Sequence, residues 1–440
     1  MRRWSPPIGR LRFVVATYWR ARRCQSPLGH DSYDARFRCL AWSLVPGPWS
    51  PATRTPRGWG TRQGWLNEDP ICGQIRTVSS RSVGVEEEFL LVEPETGRPK
   101  AVAGTVLQAA GQAAGSDLDA ELQQQQLETN SRPCQSLDDL DRDLRRCRAS
   151  AAAAAGRAGA RVAALGTSPV PVDPRPVRTS RYERMAEDFG LTAHEQLTCG
   201  CHVHVEISSA EEGVAVLDRA GPWLATLLAL SANSPFWQGL DSSYASFRYQ
   251  AWGRWPCSGP TEPFVTSRAY RETVQQMVAT GTLIDPGMVY FNARLSERYP
   301  TIEIRIADVC LRTDDTVLIA ALARALVETE ARASREATPA PRVRTELLRL
   351  AAWRASRSGL DGTLLNSVTG QPEQAATVVY MLLDHCRDAL ADAGDTDAVA
   401  GLTAAVLAKG NGASFQRAAY HRSGRLSDVI RDAAVVTEAG

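Results

Sequence analysis

The chain has 440 residues, 44% of them hydrophobic and 22% charged, with a formal net charge of +1. That length is enough for a sizeable core in two or three domains or one large one, and the near-neutral charge gives no reason to expect nucleic acid or a membrane surface as a partner. No apolar run reaches the ~20 residues of a membrane span, and the ten scattered cysteines lack the spacing of a small disulfide framework, so a reducing, cytoplasmic setting is expected.

Residues 1–77 differ from everything after them: they hold thirteen Arg against four acids, six of the eleven Trp, and clustered Pro and Gly. With no sustained period of 2 or 3.6 they cannot present a consistent apolar face, and they read as a disordered or mis-assigned leader to a folded part spanning 78–440. From Val83 the pattern becomes regular. Val83–Val92 alternates as a strand and closes at the turn signal Pro94-Glu95-Thr96-Gly97. Leu137–Ala164, after Ser136 and with an acidic first turn, reads as a helix, Leu197–Ile207 as a strand, Glu211–Leu230 as a helix and Thr301–Val309 as a strand. An amphipathic helix over Asp314–Ala333, capped by Thr313 or Asp314, is followed by further helices over Val343–Arg357 and Glu373–Ala393. Strands separated by long helices without strict βαβ alternation predict an α+β fold, an antiparallel sheet flanked by helices.

Four segments carry chemistry. In Gly84-Val85-Glu86-Glu87-Glu88-Phe89, strand alternation puts Glu86 and Glu88 on one face and Glu87 with Val85 and Phe89 on the other. Two carboxylates ~6 to 7 Å apart on one face repel unless something positive lies between them, and a divalent cation is the usual solution. An arbitrary run of three Glu is most often a solvated edge, but the apolar flanks here argue against that. The second segment, Cys199-Gly200-Cys201-His202-Val203-His204-Val205-Glu206, resembles a soft zinc site in composition. A strand, however, sends Cys199 and Cys201 to one face and His202 and His204 to the other, which favours buried structural cysteines and functional histidines.

In Thr301-Ile302-Glu303-Ile304-Arg305-Ile306-Ala307-Asp308 the three Ile share a face opposite Glu303 and Arg305. The pair is either an ordinary ion pair on a half-exposed strand, or a metal ligand beside a guanidinium fork suited to phosphate or carboxylate. The fourth segment holds Glu121, a run of four Gln, and Glu128-Thr129-Asn130. Glu121 and Glu128 have opposite strand parity, so they meet at one site only if a bend or bulge intervenes.

Taken together, the strings VGVEEEFLLVEPETGRP, QLETNSRPCQSLDDL, CGCHVHVEI, ANSPFWQGLDSSYASFR, IEIRIADVCLRTDD and GNGASFQRAAY resemble the glutamate-cysteine ligase type 2, or carboxylate-amine ligase, family over about Val83 to Thr437. The resemblance implies a glutamine synthetase-like catalytic core over 78–440 and an ATP-dependent ligase. ATP would phosphorylate a carboxylate, most readily the γ-carboxylate of glutamate, and an amine such as cysteine would attack the acyl phosphate. It implies Mg²⁺ or Mn²⁺ held by Glu86, Glu88, Glu121, Glu128, Glu303 and His202, with His204 a lesser candidate, and Arg305 beside the transferred phosphoryl group. Arg248 is implied for the glutamate carboxylate, and Asn233 and Trp237 for shaping the substrate site. Partners would be small molecules. Related enzymes often pair, which leaves a homo-oligomer open, and the amine acceptor has no motif of its own.

Overall fold

Alternating apolar and polar residues in the central segments build one seven-stranded antiparallel sheet in the computed structural model, which describes residues 80–111 and 117–440. The segment 1–77 read as a leader lies outside the described residues, and everything below concerns the second of two units, Thr55–Gly440. The strands are β1 (Val83–Val92), β2 (Leu118–Asp119), β3 (Gln126–Asn130), β4 (Arg161–Ala163), β5 (Gly200–Glu206), β6 (Ala293–Leu295) and β7 (Thr301–Asp308). Their order is β2-β3-β1-β5-β7-β6, with β4 paired to the end of β1 at Leu90–Val92.

One face of this sheet is dry. Val83, Val85, Cys201, Val203, Val205, Ile302, Ile304 and Ile306 are buried there against the helices Ala210–Ser231 and Thr313–Arg335. Each buried Val or Ile contributes on the order of 1.5–3 kcal/mol relative to exposure. Helix Ala210–Ser231 is apolar on most of its circumference because it lies between the sheet and the helices Thr313–Arg335 and Thr345–Ser358. It is the one helix among the described residues long and apolar enough to cross a membrane, and 78% of that stretch is buried inside the protein, as in a core helix.

Three expected boundaries move. The helix begun by Ser136, whose hydroxyl accepts from the Asp139 N–H at 3.1 Å, ends at Arg157 instead of running to Ala164. Gly159 at φ +64° breaks it, and Arg161–Ala163 then pairs with β1, a β segment hidden in the sequence by the Ala-rich run before it. Helix Thr313–Arg335 has Arg312 at its cap position and no side-chain cap, so neither Thr313 nor Asp314 caps it; Asp314 and Asp315 instead lie in its first turn. The stretch expected to be one helix over Glu373–Ala393 starts in a hairpin strand, Pro372–Gln374 against Thr363–Leu365, and divides at Cys386 into Ala375–His385 and Arg387–Ala393.

Candidate active site

The other face of the sheet is a staircase of charged side chains set by register. Glu88 lies opposite Glu128 on β3, Glu86 opposite His202 on β5, His204 opposite Glu303 on β7, and Glu303 opposite Arg294 on β6. Directly opposed residues have Cβ atoms ~4.5–5.5 Å apart, so each pair is in reach of its neighbour. Glu121 joins from outside the strands. It lies in the connection between β2 and β3, where its carboxylate accepts the Leu122 N–H at 2.9 Å and a turn separates it from Glu128. That turn resolves the parity conflict. The outcome is two three-residue groups, Glu86 with His204 and Glu303, and Glu88 with Glu121 and Glu128, with the ligand atoms of each group within 4.8 Å of one another.

The electrostatics of the two groups differ. Burial raises the Glu86 carboxyl, but the charge of His204 and hydrogen bonds with His202 and His204 at 3.2 and 3.1 Å bring it well below its ordinary range. Glu303 is likewise held low against burial by Arg305 and Arg294, the latter donating at 2.7 Å. In the second group burial and the charge of Glu121 push Glu88 up to about 7, although its carboxylate accepts the Gly200 N–H at 2.6 Å. Glu128 is raised well above its usual value by burial and by Glu86 and Glu121. Carboxylates crowded in this way hold protons that a cation would displace.

His202, singled out from the resemblance, lies between the groups and not in either. Its ring nitrogens are 3.2 Å from Glu86 and 3.7 Å from Glu88, with Glu303 at 4.0 Å, and it is His204 that completes the first group. Burial and Arg305 press the His202 pKa down to about 4, so its imidazole is neutral, and its Nε2 is buried without a partner. Arg305 donates to Glu303, and its own Nε is buried and unpartnered in the cleft wall.

Arg248 is buried on this same face at the Glu88 end, where its charge opposes the rise of the Glu88 pKa, although it is not among the residues that line the cleft. Its guanidinium packs so closely on Gly200 that a Cβ there would stand 2.1 Å from Nη2, and Asp308 is 4.0 Å away. The structure does not bring Asn233 or Trp237 to the cleft. The Asn233 side-chain amide donates to Ala164 and Val309 carbonyls at 2.8 Å and accepts from Gln416 at 2.7 Å, which pins the back of the sheet to the C-terminal helix Gly412–Ser423. Trp237 packs on Phe247 and under Arg254. Cys199 and Cys201 are buried free thiols on the opposite face from the histidines, and no cysteine joins either group among the described residues.

This staircase can be compared with known proteins. The family model for glutamate-cysteine ligase family 2 matches residues 82–432. The chain belongs to that family. A Streptomyces avermitilis relative named "Putative glutamate--cysteine ligase 2-1" is 53% identical over 354 residues, spanning 80% of this chain and 98% of the relative. A Streptomyces coelicolor relative with the same kind of name is 51% identical over 352 residues, 80% of this chain and 97% of its own. Among solved structures, the glutamate–cysteine ligase of Francisella tularensis in complex with AMP matches with a TM-score of 0.58 at 14% identity, covering 82% of this chain and 89% of that one. A bifunctional glutathione synthetase from Pasteurella multocida matches at TM-score 0.62 and 15% identity, covering 82% and 53%. At such identities the likeness is one of fold.

For this family 2 chain, the cleft over the staircase measures about 280 Å³ and includes residues that sequence reasoning missed. Asp119, Arg294, Arg298 and Tyr299 gather near Glu86, while Tyr182, Trp252, Trp255 and Tyr290 gather near Glu121. Most come from loops or two- to three-residue strands, where no periodicity marks them. The i, i+3 pair Trp252 and Trp255, just after the SSYASFR string, was the one signal available.

Proposed function

We propose that the cleft is the active site of an ATP-dependent carboxylate-amine ligase that activates glutamate and joins it to an amine. The observation that carries this reading is the pair of acid groups on one sheet face, with Arg305 bonded to Glu303 and its charge acting on Glu86 and Glu88. The donor chemistry fits hard divalent cations: five carboxylates and one imidazole suit Mg²⁺ or Mn²⁺, with no thiolate in either group. Glu86, His204 and Glu303 would hold one cation and Glu88, Glu121 and Glu128 another, and such ions neutralise phosphate charge when bound.

The chain's own residues do the rest. A carboxylate is a poor acyl donor, so its oxygen attacks the γ-phosphorus of ATP, the bond to the bridging oxygen breaks, and ADP leaves. Arg305, buried and always charged, faces the negative charge that spreads over the transferred phosphoryl oxygens. Its pairing with Glu303 and the neighbouring His202 fixes its direction before substrate arrives. The amine nitrogen then forms the C–N bond, phosphate departs with the electron pair of the C–O bond, and the amine's proton passes to a base.

The test is hydroxylamine trapping with ATP, Mg²⁺ and glutamate, read as γ-glutamyl hydroxamate and ADP. The expected result is stoichiometric hydroxamate and ADP, both lost in Glu303→Gln. Nucleotide binding without either product would make the chain a non-catalytic binder and overturn the proposal.

A further inference from the structure

The two ends of the cleft have opposite chemistry, and this bears on the acceptor. Near Glu86 lie Arg294, which is paired with Glu303 at 2.7 Å, and the exposed Arg298, which has no ion pair among the described residues. Near Glu121 the wall is made of Leu122, Tyr182, Met185, Trp252, Trp255 and Tyr290. The arginine at that end, Arg181, is occupied by Asp285 at 2.6 and 3.1 Å. Arg298 is the guanidinium left open to a triphosphate, and the aromatic wall beyond Glu121 is left to an apolar side chain.

That end is also stiff. Trp252 and Tyr290 have ring centroids 4.7 Å apart, Trp255 and Tyr290 5.5 Å, and Phe189 backs Trp255 at 5.0 Å. Interlocked rings hold their shape, so a small side chain leaves apolar wall uncovered where a large one covers it. Resting on the ligase reading above, we propose that this chamber is the amine subsite and that the acceptor carries a bulky apolar or aromatic side chain, in preference to the short thiol of cysteine. Trp252 and Tyr182, the half-exposed members of the wall, are the specificity-determining residues.

In the step concerned, the acceptor's nitrogen attacks the glutamyl acyl phosphate, the C–N bond forms as the C–O bond to phosphate breaks, and one amine proton is released. The aromatic wall only positions the acceptor, so its signature is selectivity. Each methylene matched or missed in an apolar pocket changes kcat/KM by roughly 10- to 200-fold.

The experiment measures γ-glutamyl product and ADP with the full chain, glutamate, ATP and Mg²⁺ fixed, across cysteine, alanine, leucine, phenylalanine and phenylethylamine, with hydroxylamine as a separate arm. Leucine, phenylalanine or phenylethylamine should exceed cysteine in kcat/KM by about tenfold or more. Trp252→Ala should erase that advantage through the KM of the amine, Trp252→Phe should restore most of it, and Tyr182→Ala should act in the same direction. Cysteine equalling or exceeding the apolar amines, an unchanged preference in both alanine variants, or a rise in the KM of ATP in place of the amine's would overturn the inference. Hydroxamate in the wild type with a reversed preference removes this inference alone, whereas no hydroxamate removes the ligase reading and this inference with it.

Discussion

The two faces of β1 handle buried carboxylates in opposite ways. On the dry face Glu87 is fully buried and complete: Arg148 donates to it at 2.9 and 2.6 Å, and the Thr316 hydroxyl donates at 2.7 Å. Arg148 in turn satisfies the carbonyls of Cys310 and Leu311 at 2.8 and 3.0 Å, so acid and base are matched inside one network. On the wet face Glu88 sits one residue away with Glu121 and Glu128 beside it, and among the described residues its one hydrogen-bond donor is the Gly200 N–H, with His202 at 3.7 Å. A buried carboxylate matched by a guanidinium holds a fold together; one crowded by other carboxylates calls for a partner that arrives from outside.

The largest effect expected from this contrast is on stability. Arg148→Met leaves Glu87 buried and unpaired and should cost about 3–5 kcal/mol in denaturant unfolding, while cation affinity measured on the remaining folded protein changes little. Next, Glu88→Gln should lower γ-glutamyl hydroxamate formation by about 10²–10³-fold, with stability kept or slightly improved because one repelling charge is gone. If Glu88→Gln unfolded the protein and Arg148→Met did not, the assignment of the two faces would be reversed.

A pH effect follows from the raised carboxyls. Glu88 at about 7, and Glu128 above its usual range, have folded pKa values above their unfolded ones. Their contribution to the cation-free fold is therefore present below the unfolded pKa and lost as pH rises through the folded values. Cations compete with those protons, so the rise in Tm on adding Mg²⁺ should be larger at pH 8.5 than at pH 6, by a few degrees in a thermal-shift assay. The smallest effect belongs to the dry face: Cys201→Ala should cost about 1 kcal/mol and leave cation binding and metal content unchanged. Loss of a tightly held zinc in that variant would revive the cysteine–histidine site.

Much of this was legible from alternation alone. Period 2 in VGVEEEF, CHVHVE and TIEIRIAD separates the charged face from the apolar one, and the structure keeps those faces. Register is a different kind of information. That Glu88 opposes Glu128 and His204 opposes Glu303 depends on pairing between strands far apart in the chain, which no single segment encodes. For the same reason His202 and His204 could not be told apart by sequence, since both point to the polar face and only the position of β7 selects His204 for the first group. Glu121 needed a turn that the Gln run does not announce, and the aromatic end of the cleft is built from two helices, Ser180–Phe189 and Phe247–Trp252, and from loops, whose meeting is tertiary. Asn233 and Trp237 belong to a conspicuous string, yet their side chains brace the sheet from behind or pack beside it, whereas Arg248 lies on the polar face over Gly200 without lining the cleft.

The central claim is that the two acid groups are separate cation sites on one face, and the most direct measurement is a Mn²⁺ titration of the cation-free full chain, followed by calorimetry and electron spin resonance. The account predicts at least two sites per chain, one weakened by Glu88→Gln and a different one by Glu303→Gln. Absence of binding, or identical binding curves for the two variants and the wild type, would contradict it.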